Sequence, residues 1–183
     1  WNNSRSYLRS INEYLTAKSI LPILFGDFKS SDTTKWTQDQ IIIAQRNCVE
    51  KSPTVDTAGI DKVLTSQHYD IIRADDLVTR ETVNTEGQIE KTINHIKDLF
   101  KLLNPGGTMD VIGTRWDDLD AYRWILEELT KEELGSEKFA VYRRAAIENG
   151  KVIFPKKFTL DLLKNIKFKI GSYEYSTNYD NDP

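Results

Sequence analysis

Two adjacent carboxylates, Asp75-Asp76, close a short apolar run that begins at Tyr69. A strand delivering two acids at its tip can hold Mg²⁺ through its water shell with one carboxylate. The next can then orient or activate an attacking water. The same pair also suits a plain turn and helix cap, and Arg73 inside the run weakens the case for a buried strand. Further along, Thr108-Met-Asp-Val-Ile-Gly113 reads as a strand ending in Gly113-Thr114-Arg115. A small residue, a hydroxyl and a cation beside a carboxylate pair can sense a γ-phosphate and transmit its loss; alone, the triplet reads as an ordinary strand exit. The acids Asp75, Asp76, Asp110, Asp117, Asp118 and Asp120 also admit two-metal phosphodiester cleavage. Strand alternation turns Asp110 away from the tip, however, and the last three read as the cap and first turn of a helix.

These groups meet only if the chain between them brings the two tips together. Asn84 is a good N-cap, and Ile89, Ile93, Ile96, Phe100 and Leu103 follow at spacings of 4, 3, 4 and 3. Asn104-Pro105-Gly106-Gly107 then reads as the helix terminator. Strand, helix, strand is a βαβ unit, which is right-handed and parallel. Parallel strands place both C-terminal tips on one sheet edge. Upstream, residues 3–17 read as an amphipathic helix capped by Ser4, then an apolar stretch Ile20–Phe28 and a polar turn at 29–34. Strands are expected at Gln40–Gln45 and Thr54–Ile60. Downstream come a helix at 118–130, a hairpin turning at Glu148-Asn149-Gly150, a short helix near 159–165 and a Tyr-rich polar tail.

Composition excludes several functions. With 183 residues the chain has enough mass for one domain and a real core. One cysteine, Cys48, allows no internal disulfide and no multi-cysteine metal site, and reads as a small buried filler. His68 and His95 are too few for a histidine-rich centre. No apolar run has the length of a membrane span. The net charge of -3 argues against a globally basic coat. Locally, nine bases and two acids lie between Lys138 and Lys169. There Lys156, Lys157, Lys164, Lys167 and Lys169, interleaved with Phe158, Phe168 and Tyr173, suit either a nucleic-acid backbone or a solvated face.

A P-loop enzyme needs G-x-x-x-x-G-K-[ST] to cradle phosphates, and the motif is absent; Gly150-Lys151 is the only Gly-Lys pair. Together with a start at Trp1, this gives the expectation of a piece of a longer protein that binds ATP poorly alone.

The blocks His68-Tyr-Asp-Ile-Ile-Arg-Ala-Asp-Asp-Leu-Val78, Asn84-Thr-Glu-Gly-Gln88, Leu103-Asn-Pro-Gly-Gly107 and Val111-Ile-Gly-Thr-Arg-Trp116 resemble the large terminase subunit of tailed bacteriophages. Leu24-Phe-Gly-Asp-Phe28 with Lys35-Trp36-Thr37 looks like the segment after the first ATPase strands. Tyr173–Pro183 looks like the join to the nuclease domain, so the likeness covers nearly the whole chain in order. The resemblance implies an α/β fold of the ASCE P-loop ATPase type, a parallel sheet with flanking helices, lacking the Walker A unit. It divides the chain into an incomplete ATPase domain, 1–170, and a join, 171–183, toward an absent RNase H-like nuclease. It implies ATP and Mg²⁺ as cofactors, with Asp75 as the magnesium carboxylate and Asp76 as the catalytic acid, which in the family is usually Glu. Gly113, Thr114 and Arg115 correspond to the motif coupling hydrolysis to DNA movement. Gln67 stands where many relatives carry an arginine, so a finger role is either vacant or filled elsewhere, by Arg80 or Arg115. The implied partners are double-stranded DNA, the portal protein, the small terminase subunit and further copies in a ring, with no membrane. The place is the procapsid portal vertex in the bacterial cytoplasm. Another ASCE helicase-like motor, or a non-catalytic DNA-binding or assembly domain, are the alternatives.

Overall fold

The computed structural model describes residues 2–16, 19–29, 35–62 and 66–183. The chain is mixed α/β with small sheets, and its contacts divide it into two compact units. Unit 1 holds residues up to Arg73 together with Asp98–Asp110; unit 2 holds Ala74–Lys97 and Val111–Pro183.

Unit 1 opens with helices α1 (Asn2–Thr16) and α2 (Ile20–Phe25). Because α1 starts at Asn2, Ser4 lies inside it instead of capping it, and its hydroxyl donates to the Ala58 carbonyl. Of the α1 stripe only Leu8 is fully buried, while Tyr7 and Tyr14 are more than half exposed. The Ile20–Phe28 stretch begins as α2, with Ser19 as its N-cap. The strands expected upstream shrink to β1 (Gln40–Ile41) and β2 (Val55–Asp56), paired antiparallel as Gln40↔Asp56 and Ile41↔Val55. A shared acid explains why the pairing forms there. The Asp56 carboxylate, almost fully buried, accepts from Gln40 Nε2 at 3.1 Å, Lys62 Nζ at 3.0 Å and the Tyr69 hydroxyl at 2.8 Å. Burial, and then that bond to Asp56, push the Tyr69 phenol far above its ordinary pKa. Cys48 is exposed, so it is not a buried filler: the loop around it, 47–51, is exposed throughout. Of the polar turn at 29–34, residues 30–34 lie outside the described residues.

Three elements contribute to both units: β3 (Tyr69–Asp75), α3 (Glu86–Leu102) and β4 (Leu103–Ile112). Strands β3 and β4 form a parallel pair, as the strand–helix–strand reading requires. Along β3, Ile72 and Ala74 are buried while Ile71, Arg73 and Asp75 face outward. Arg73 is tolerated because it sits on that outer face and pairs with Asp110 on the adjacent strand at 3.3 Å. The cap of α3 is Thr85, whose hydroxyl accepts the Gln88 N–H, and not Asn84. The buried stripe of α3 is Thr92, Ile96, Leu99 and Leu102, so only Ile96 of the expected stripe is fully inside. Asn104-Pro105-Gly106-Gly107 does not form a free terminating loop. It belongs to β4, where the Asn104 amide donates to the Asp70 carboxylate at 2.8 Å.

Unit 2 continues with α4 (Ala121–Glu128), the hairpin β5 (Ile147–Glu148) and β6 (Lys151–Val152), then α5 (Leu160–Ile170) and α6 (Ser172–Tyr175). The hairpin turns at Asn149 and Gly150, both at positive φ (50° and 76°), as a two-residue primed turn demands. Thr159 caps α5, which runs longer than 159–165. The tail is not a loose polar end: α6 and the π-helical turn Ser176–Asp180 bury Tyr175 and Thr177.

Candidate functional site

The five residues expected at the two strand tips, Asp75, Asp76, Gly113, Thr114 and Arg115, lie in unit 2, at or just beyond the C-terminal ends of β3 and β4. Asp75 ends β3 and Asp76 follows it; Gly113, Thr114 and Arg115 follow Ile112, the last residue of β4. The two tips are joined directly: the Asp76 N–H donates to the Ile112 carbonyl at 3.0 Å. To make this bond the backbone at Asp76 turns sharply, with φ at +48°, a left-handed conformation that Asp tolerates better than most side chains.

The Asp75 carboxylate is exposed and makes no hydrogen bond or ion pair among the described residues. Partial burial, and then the neighbouring Asp75 charge, hold the Asp76 carboxyl above its ordinary pKa. A raised carboxyl of this kind occurs both at proton-transfer sites and between paired surface acids.

Arg115 is not a free cation. Its Nε lies 2.9 and 3.0 Å from the two Asp120 oxygens, and its Nη2 donates to the Asp117 carbonyl at 2.9 Å. Asp120 is fully buried and is the N-cap of α4, accepting the Arg123 N–H at 3.0 Å and the Trp116 N–H at 3.0 Å. Its placement as a cap follows the expectation for the 117–120 acids. Arg80 is likewise engaged, with the Glu174 carboxylate and with its guanidinium 6.0 Å from the centre of the Trp116 ring. Thr114 is half-buried.

Three further contributors join the tips: Tyr122 and Asn181, which sequence reasoning did not single out, and Tyr173, which it placed only among the aromatics of the basic segment. Tyr122 on α4, expected only as part of a helix stripe, reaches back to the tips: its hydroxyl donates to the Ile112 carbonyl at 3.2 Å and accepts the Val78 N–H at 3.5 Å. Its phenol is pushed up to about 12, mainly by burial, with the Asp76 charge adding. From the tail, Asn181 accepts the Arg115 backbone N–H at 3.1 Å, and Tyr173 donates to the Trp116 carbonyl at 2.6 Å. A large, polar-tipped aromatic following a glycine-ending strand was the available signal for Tyr122. The tail contacts span 57 and 66 residues and leave no local pattern.

Among the described residues no three His, Cys, Asp or Glu side chains gather as a metal-binding group. A Walker B-type carboxylate needs no such cluster, since it holds Mg²⁺ through water, and the unengaged Asp75 fits that demand. Among the described residues no helix is long and apolar enough to cross a membrane. No protein-family model matches the chain, and a search of curated protein sequences returns no match.

Proposed function

We propose that this chain is part of the ATP-hydrolysing motor of a terminase large subunit, which packages viral double-stranded DNA into a procapsid. The observation that carries the reading is the junction of the two tips, in which the Asp76 N–H bonded to the Ile112 carbonyl sets the acid pair beside Gly113-Thr114. On this reading the sheet is of the ASCE ATPase type, and the phosphate loop is supplied by residues outside these 183. Asp75 would hold Mg²⁺, which when bound neutralises phosphate charge. Asp76 orients the attacking water and takes its proton, a role helped by a raised pKa. Gly113 and Thr114 couple the phosphate site to movement. Arg115 serves that coupling through its grip on Asp120, so a finger acting on phosphate comes from elsewhere, or from Arg80 once released from Glu174. The portal protein, the small subunit and other copies in a ring would complete the motor at the portal vertex.

The test uses a protein in which this chain is joined to its phosphate loop. Asp76→Asn should lower ATP hydrolysis at least ~100-fold while nucleotide binding persists. Thr114→Val should leave hydrolysis but lose DNA packaging. Hydrolysis undiminished in Asp76→Asn would end the assignment. Tight Mg·ATP binding by the 183 residues alone would contradict an incomplete site.

A second reading, nucleic-acid binding without catalysis, is favoured by one feature. Phe168 is 91% exposed on α5, flanked by Lys164 and Lys169. Salt-dependent DNA binding that needs no nucleotide would support it.

A further inference from the structure

The Ile112 carbonyl is gripped twice, by the Asp76 N–H at 3.0 Å and by the Tyr122 hydroxyl at 3.2 Å. The same hydroxyl accepts the N–H of Val78, two residues beyond Asp76. The turn 76–78 is therefore pinned to the β4 tip at its first and last residues, and one phenol oxygen makes or supports both attachments. The pin needs space. A Cβ built on Gly113 would stand 1.9 Å from the Tyr122 hydroxyl and 2.5 Å from its ring carbon, so the ring occupies the place a side chain at 113 would take. Tyr122 itself is held: it is 8% exposed and lies one residue after Ala121, the first turn of a helix anchored by the buried Asp120 cap.

We infer that Tyr122 is a positioning residue that holds Asp76 in its left-handed turn, and that Gly113 is small in order to admit the Tyr122 ring. Without the hydroxyl, the buried Val78 N–H loses its partner and the Ile112 carbonyl keeps only one. The Val78 side chain stays buried, but no other hydrogen bond among the described residues holds the backbone at 78, so the turn loosens and the Asp76 carboxylate shifts. The inference gives Gly113 a steric task that is independent of nucleotide; only its consequence for catalysis rests on the reading proposed above.

The experiment has two parts. In the 183-residue chain, NMR follows Asp76 in the wild type, in Tyr122→Phe and in Gly113→Ala. A positive φ gives a strong intraresidue amide-to-Hα cross-peak. That peak should weaken in both variants. Leu163→Ala, which opens the core beneath α5, should lower stability yet leave that peak unmoved. If folded Tyr122→Phe keeps the wild-type cross-peak, the inference is overturned; should that variant not fold, the same result in Gly113→Ala overturns it. In the longer protein, Tyr122→Phe should lower kcat between about 10- and 100-fold with KM nearly constant, as expected of a misplaced catalytic group. An unchanged kcat beside an inactive Asp76→Asn overturns the positioning role while the ATPase reading stands. A weakened Asp76 cross-peak beside a fully active Asp76→Asn supports Tyr122's hold and overturns the ATPase reading instead.

Discussion

Asp76 combines two costs: a left-handed backbone and a carboxylate whose charged form is disfavoured by burial and by Asp75. Its pKa is raised in the folded state, so within the window from the ordinary aspartate value up to the raised one the folded chain binds more protons than the unfolded chain. Stability from this group therefore falls as pH rises through that window, and the whole penalty is present at neutral pH. Asp76→Asn removes the charge and keeps a residue at ease with positive φ. Thermal melts should show the variant more stable at pH 7, by roughly 0.5 kcal/mol given the exposure of the site. The part of that gain due to charge should vanish at pH values below the ordinary aspartate range. A gain that is the same at both pH values would show that only backbone preference changes.

Helix α4 owes its position to one buried acid. Asp120 caps it, accepts the Trp116 N–H and forms a two-oxygen fork with Arg115, which is itself only 13% exposed. Removing one partner strands the other, so Asp120→Ala should cost roughly 3–5 kcal/mol in denaturant unfolding. The double variant with Arg115→Ala should cost less than the two single losses added together. Additive losses would mean that the two side chains act independently. Much of this scale was readable in advance. The seven residues of β3 stood out because an apolar run ends abruptly in two acids; the Asn149-Gly150 turn and the cap role of Asp120 rest on local chemistry that a sequence displays. What was not readable is non-local. The strands at 40–45 and 54–60 are shorter than their apolar runs because pairing stops where partners stop, and Thr85 displaces Asn84 as a cap by a shift of one residue. Asn104 joins β4 because Asp70, far upstream, offers a carboxylate. Tyr122 acts on Val78 across 44 residues, a relation that no helical period encodes.

At the scale of the whole molecule, contacts group the segment after residue 170 with the rest of unit 2. Tyr175 and Thr177 are buried, Glu174 engages Arg80, and Asn181 and Tyr173 hold the backbone after β4. Ending the chain at Ile170 should therefore cost unit 2 its fixed packing, with a fall in Tm of more than about 5 °C from the loss of one buried tyrosine alone. A chain that stops there and melts unchanged would show 171–183 to be a mere appendage. The units also interleave along the chain, which crosses between them three times. On a ribosome the order of emergence then matters. Every residue of unit 1 is made by Asp110, whereas Ala74–Lys97 must wait for the segment after Val111 before unit 2 can close. Synthesis thus delivers one unit complete while the acid pair's surroundings are still unfinished, and the turn at Asp76 takes its final form only after Tyr122 has been made.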